Sequence, residues 1–247
     1  MWNEVVKRIE EFIREKVRNA NAKGVVFGLS GGVDSTVVAY LCKRALKKDE
    51  ILALIMPEEG VTSKEDLEDA VFVAETLEIK YKIIEISDFV KMLVEKLGEG
   101  RRMSVANLKP RIRMIMNYYY ANELNYLVVG TSNKSEIMIG YFTKFGDGAA
   151  DFMPIGDLYK TEVWELAKFL GVPEKIIRKK PTAGLWVGQT DEDEIGMSYF
   201  ELDEILKAIE RGEKRCDEKF KKVEKMIKNS QHKRSFPEIL KLRDLLC

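Results

Sequence analysis

Two short runs carry residues whose types and spacing belong to one kind of chemistry: SGGVDS at 30–35 and GTSNKSE at 130–136. In the first, Gly28 and Leu29 close a β-branched and aromatic run, Ser30, Gly31 and Gly32 form a turn, and Val33, Asp34 and Ser35 open an amphipathic helical run. A glycine turn leading into a helix presents free backbone N–H groups and the positive end of the helix dipole, which together bind anions. The lysine-bearing phosphate loop GxxxxGK[ST] is absent, and so is GxGxxG. Asp34 would repel a phosphate unless a metal came with it. Glu136, in the second run, supplies a partner carboxylate. Mg²⁺ is usually held by one or two carboxylates together with substrate phosphates, and that resolves the oddity of Asp34. The competing reading is that Asp34 or Ser35 merely caps its helix.

The elements that must position these residues follow from periodicity. Apolar runs at 24–29, at ILALIMP, at KYKIIEI and at YLVVGTS read as four strands. Helical patterns separate them: the run after Asp34, TSKEDLEDAVFVAETL with Thr62 or Ser63 as N-cap, one near 88–97, and a long stretch at 105–124 with Pro110 near its start or at a kink. Strands this far apart in sequence cannot be hairpins, so the fold class is α/β, a doubly wound, Rossmann-like parallel sheet. Ligands of such sheets sit at the carboxyl ends of the strands, where strand order reverses. If the first and fourth strands are neighbours, Asp34 and Glu136 face one crevice. Before the first strand, residues 2–18 place Trp2, Val5, Val6, Ile9, Phe12, Ile13 and Val17 on one helical face, for packing on the domain or for a subunit contact. YFTKFGDGAADFMPIGDL is an aperiodic functional loop, YKTEVWELAKFLG a helix stopping at Gly171, and PTAGLWVGQTDEDEIG a lid candidate. The remainder reads as a charged helical annex running to the C-terminus.

Bulk composition narrows the classes. The 247 residues hold 41 basic and 41 acidic side chains, a balance that argues against a general nucleic-acid binder. No apolar run is long enough to span a bilayer, and the N-terminus MWNEVVKRIEEF carries charged side chains from Glu4 on, which does not suit a signal peptide. Cys42, Cys216 and Cys247 form no CxxC pair and there is one histidine, so zinc sites and disulfide frameworks are not expected. A reduced, cytoplasmic protein is the expectation.

SGGVDS resembles the SGGxDS loop of the N-type ATP pyrophosphatases, which cleave ATP between its α and β phosphates. The downstream motifs GTSNKSE, FTKFGDGAAD at 142–151, PIGDLYK at 154–160, PTAGL at 181–185, QTDEDEIG at 189–196 and HKR at 232–234 resemble those of the ammonia-dependent NAD synthetases. The matches run from about residue 24 to 234. The resemblance implies one synthetase domain over 1–247 with no glutaminase domain, a homodimer, and amidation of deamido-NAD (nicotinic acid adenine dinucleotide) by ammonia through an acyl adenylate. It implies an ATP site of Gly28 to Ser35 with Thr131, Lys160 and Thr182, and Mg²⁺ on Asp34 and Glu136. Deamido-NAD would meet Arg111, Lys144, Asp151, His232 and Lys233, and Asp147 would meet the incoming ammonia. Catalytic work would fall to Asp147 and Lys160. None of the three cysteines sits in a glutaminase-like motif.

Two other readings share the glycine loop. A tRNA-modifying relative would use the same ATP chemistry, but the neutral charge balance, the missing CxxC and the absence of an RNA-binding module count against it. A nucleotide sensor would not need two acidic metal candidates together with Lys160.

Overall fold

The computed structural model describes residues 1–243; Cys247 lies outside them. The four strands are β1 (Gly24–Gly28), β2 (Ile51–Ile55), β3 (Lys80–Ile83) and β4 (Tyr126–Val128). All pair in parallel in the order β3-β2-β1-β4. The chain therefore winds outward from β1 to β3 and then returns to the other side of β1, so strand order reverses between β1 and β4. Gly24 is paired with Tyr126 and Val26 with Val128. The runs following these two strands are the glycine turn and GTSNKSE, brought side by side as the doubly wound reading requires. A further parallel bridge, Val129 to Phe152, folds the aperiodic 142–158 loop along β4.

The helices are α1 (Trp2–Asn19), α2 (Val33–Ala45), α3 (Lys64–Thr76), α4 (Ser87–Leu97), α5 (Arg102–Ala106), α6 (Leu108–Leu124), α7 (Lys134–Ile139), α8 (Lys160–Leu170), α9 (Glu174–Ile177), α10 (Asp191–Ile195), α11 (Tyr199–Glu210), α12 (Glu218–Asn229) and α13 (Gln231–Arg234). One face of the sheet packs on α2, α3, α8 and α1 around Phe27, Val37, Leu41, Val73 and Leu166; the other packs on α4 and α6 around Val26, Leu54, Ile112 and Met116. A third cluster joins α7, α11 and α12 around Ile139, Tyr199, Leu202 and Phe220. Each fully buried aliphatic or aromatic side chain here contributes about 1.5–3 kcal/mol.

Local signals behave as their chemistry dictates. Ser63 caps α3 through its hydroxyl, which accepts from the Asp66 amide at 3.0 Å. Gly171 ends α8 in the left-handed region. Pro110 sits in the first turn of α6, where its missing N–H has no helical acceptor to lose. The α1 stripe buries Val6 and Ile13 against the core, which is the domain-packing reading of that helix. Two expectations fail at their edges. The 105–124 stretch is split at Asn107 into α5 and α6. The annex is interrupted: residues 235–242 form no helix, with Phe236, Ile239 and Leu240 exposed. Pro237 removes a donor just past α13, and no apolar face receives these side chains, so periodicity there lacks the packing that stabilises short helices.

Gly31 has φ +82°, and a β-carbon there would meet the Asp66 carbonyl oxygen of α3 at 2.3 Å. At Gly32 the same carbon would meet only the Ser30 hydroxyl, at 3.4 Å. Gly31→Ala should therefore lower stability by about 2 kcal/mol or more, and Gly32→Ala by less than about 1 kcal/mol, in urea unfolding.

Candidate active site

β1 delivers the glycine turn to the floor of a cavity of roughly 640 Å³. Gly28, Leu29, Ser30, Gly32, Val33, Asp34 and Ser35 line it; Gly31 turns away to pack on α3. Hydroxyls hold the turn shut. Ser35 Oγ accepts from the Ser30 amide at 3.2 Å and donates to the Gly32 carbonyl at 3.1 Å. These bonds free the first-turn amides of α2 to face the cavity.

β4 delivers Thr131 and then the N-terminus of α7. Asn133 caps that helix: its Oδ1 accepts from the Glu136 amide at 3.0 Å, while Glu136 Oε2 accepts from the Asn133 amide at 3.3 Å. This reciprocal capping box fixes the rotamer of Glu136. Asn133 Nδ2 meanwhile donates to Asp34 Oδ1 at 3.0 Å, joining the two walls. Between them lies Lys160, the first residue of α8, only 2% exposed. Its ammonium donates to Asp34 Oδ2 and stands 3.6 Å from Glu136 Oε1. Burial alone would depress this lysine, but Asp34 and Glu136 hold its pKa above the usual range. Glu136 is pushed up to about 8 by burial; Lys160 opposes the rise, whereas Asp34 and Asp191 add to it. Carboxylates outnumber the one ammonium, so the centre has room for further positive charge.

Asp191, at the start of α10, is the third carboxylate. It is 4% exposed, accepts from the Tyr199 hydroxyl at 3.0 Å, and leaves Oδ1 buried without a partner. Burial raises its pKa, with Lys160 pulling it back. Among the described residues no group of three or more acidic, histidine or cysteine side chains has the arrangement of a metal centre. Asp34 and Glu136 alone face each other across the ammonium, and the donor set fits a Mg²⁺ completed by phosphate oxygens rather than by a protein cage.

Asp203 of α11 acts from beneath. Its carboxylate, 1% exposed, accepts from Ser135 Oγ at 2.5 Å and from the Thr161 amide at 2.9 Å, and Ser135 Oγ accepts from the Lys160 amide at 2.9 Å. One acidic side chain thus ties together the first turns of α7 and α8, which carry Glu136 and Lys160.

The remaining expected residues divide. Thr182, Asp147 and Lys233 line the same cavity. Asp147 Oδ1 accepts from the Thr143 amide at 2.8 Å, and burial raises its pKa. Lys233 donates to the Gly140 and Phe142 carbonyls, both at 2.8 Å. Arg111, Lys144, Asp151 and His232 do not line it. Three of them form an outer chain: Arg111 donates to the Lys144 carbonyl at 3.2 Å, and Lys144 Nζ donates to the His232 carbonyl at 2.6 Å. Asp151 sits apart, accepting from the Val128 amide at 2.6 Å and the Tyr118 hydroxyl at 3.4 Å. Asn133 and Asp191 belong to quoted motifs but carried no assigned role, and Asp203 had no signal beyond an acidic residue in a helical pattern.

Residues 5–237 match the NAD synthase family. The chain belongs to that family. It is 61% identical over 245 residues to the NH₃-dependent NAD⁺ synthetase of Archaeoglobus fulgidus, covering 99% of each chain. Among solved structures it is similar to the NMN synthetase of Francisella tularensis, with a TM-score of 0.89 and 36% identity over 97% of this chain and 98% of that one. It is similar also to the NH₃-dependent NAD synthetase of Campylobacter jejuni, with a TM-score of 0.85 and 38% identity over 98% and 99%. The parallel α/β sheet read from the strand spacing is the fold this family shares.

Because Asp203 holds both helix starts, Asp203→Asn should remove a charge-assisted acceptor, costing about 1.5–3 kcal/mol, and should lower kcat more than it changes any KM. Steady-state rates with a parallel thermal melt would show whether turnover falls with the fold retained.

Proposed function

We propose that the protein is an ATP- and Mg²⁺-dependent ligase that converts deamido-NAD to NAD with ammonia, releasing AMP and pyrophosphate. The observation that carries this reading is the buried Lys160 between Asp34 and Glu136 at the mouth of a glycine turn. A carboxylate of the dinucleotide attacks the α-phosphorus of ATP; the bond to the β-phosphate oxygen breaks and pyrophosphate leaves. Lys160 lies where it can neutralise charge accumulating on the α-phosphate. The first-turn amides of α2 receive the departing pyrophosphate. Mg²⁺, held by Asp34 and Glu136, would supply charge neutralisation at the phosphate oxygens. Ammonia then attacks the acyl carbon, the acyl–oxygen bond breaks and AMP departs. Asp147 would bind the ammonium and take the proton it must lose. Burial raises the pKa of this carboxylate, which makes it a stronger base than an exposed aspartate.

In this reading 1–247 is a single synthetase domain, fed by free ammonia, as relatives named NH₃-dependent are. Arg111, Lys144 and His232, outside the cavity but continuous with Lys233, would hold the far part of a substrate as long as a dinucleotide. Arg111 shares its face of α6 with the exposed Ile115 and Tyr119, four and eight residues on. This supports a homodimer whose second copy covers the stripe beside the dinucleotide. Among the described residues no helix is long and apolar enough to cross a membrane.

The test is a paired assay of AMP and NAD from deamido-NAD and Mg²⁺-ATP with ammonium or with glutamine. Equal AMP and NAD from ammonium alone is the expected result; no AMP with either donor would overturn the reading. Nicotinic acid mononucleotide, brought in by the likeness to the Francisella enzyme, should be the poorer acceptor if the outer basic chain binds substrate. Asp34→Asn should cut kcat at least about 100-fold in a protein that still folds, with a lowered thermal midpoint because the buried Lys160 loses one of its two carboxylates. Ile115→Glu should yield monomers in sedimentation and a raised KM for deamido-NAD, with a smaller change in the KM for ATP.

A further inference from the structure

Lys109 holds both rims of the cavity without lining it. It lies in the first turn of α6, 7% exposed. Its ammonium donates to the Leu185 carbonyl at 2.5 Å and stands 2.8 Å from Glu58 Oε1. Leu185 belongs to 181–190, whose residues from Pro181 to Trp186 line one rim. Glu58 opens the turn carrying Val61 and Thr62 of the opposite rim: its carbonyl accepts from both their amides, at 3.1 and 2.9 Å.

Most other hydrogen bonds of this lid segment close it on itself: Leu185 N to Gln189 Oε1 at 2.7 Å, Gly184 N to Thr182 Oγ1 at 3.1 Å, and Asp191 N to the Pro181 carbonyl at 3.0 Å; Gln189 Nε2 also donates to Glu194 of α10 at 2.7 Å. They give the segment a shape and tie its C-terminal end to α10, without fixing it to the opposite rim. Lys109 fixes it, and Arg102, 4.2 Å above the Trp186 ring, braces the outer end. A buried ion pair generally adds little stability over an apolar pair, and this one leaves Glu58 Oε2 buried and unpartnered. Its distinctive product is placement, since one charge sets two loops that the sheet alone leaves independent.

We propose that Lys109 is a positioning residue that locks the 181–190 lid to the Glu58 turn and so keeps water from the acyl adenylate. The shielding part rests on the adenylation reading; the lock itself is measurable without turnover. When water enters, its oxygen attacks the acyl carbon, the acyl–oxygen bond breaks, and AMP leaves with the free carboxylate restored. A loosened lid would therefore spend ATP without making amide.

The experiment compares the full chain with Lys109→Met and with Lys109→Met/Glu58→Gln, in which no buried carboxylate loses its partner. Chymotrypsin digestion of the ligand-free proteins should cut at Leu185 and Trp186 about ten-fold faster in both variants, with the double variant's thermal midpoint close to wild type. A folded double variant cut at the wild-type rate would overturn the lock. In turnover, the AMP-to-NAD ratio should rise from one to about three or more in the double variant. A ratio that stays at one despite faster cutting would overturn the shielding role. Absence of AMP from wild type would instead fall on the adenylation reading, while the digestion still decides the lock.

Discussion

The site depends on keeping one ammonium charged while burying it. Lys160 cannot sit at 2% exposure without carboxylates on both sides, and those carboxylates come from segments 102 residues apart, following β1 and β4. Parallel pairing of these two strands is what makes the arrangement possible, because it puts both strand ends at the same edge of the sheet. The glycine turn, the α7 capping box and the Asp203 tether each serve this alignment. Misplacing any of them by an ångström would leave either a buried lysine or a buried carboxylate without its partner.

What the residues disclosed by themselves was strongest where local chemistry decides the outcome. The four strands, an α3 cap at Thr62 or Ser63, the stop at Gly171 and the meeting of Asp34 and Glu136 in one crevice follow from periodicity, capping and strand order; the structure has them, with Ser63 as the cap. The resemblance supplied Lys160 and Thr182, which the structure brings to the same cavity. Asp191 and Asp203 were illegible for a physical reason. Their roles arise from being buried beside a centre assembled from distant segments, and an acidic residue in a charged helical stretch looks like any solvated one. Residues 236–242 show the converse, an apolar pattern whose side chains Phe236, Ile239 and Leu240 stay exposed.

Charge partition explains how a chain with equal acidic and basic counts can serve anionic substrates. The deep centre is acidic, with Asp34, Glu136 and Asp191 around one lysine. Positive side chains stand elsewhere on the cavity lining: Lys179, Lys180, Arg113 and Lys233. Asp191 Oδ1 is left without a partner, and Glu136, raised first by burial, is raised further by Asp34 and Asp191. Net charge is silent on this, since it averages over the separation that matters.

The same separation bears on why the lid is tied by a lysine from α6 rather than by apolar packing. An apolar seam would close the segment over the cavity with little regard to register, because dispersion contacts are individually weak and tolerant of sliding. A charge-assisted bond to one carbonyl, with the opposite rim's carboxylate on the same ammonium, admits a narrow range of positions. Register matters here because Gln189 lies four residues after Leu185, and its amide donates to Glu194, which also accepts from Tyr141. Tyr141 lines the cavity. A lid shifted by one residue would pull that chain of bonds apart, so fixing Leu185 also fixes the wall that faces the reacting groups.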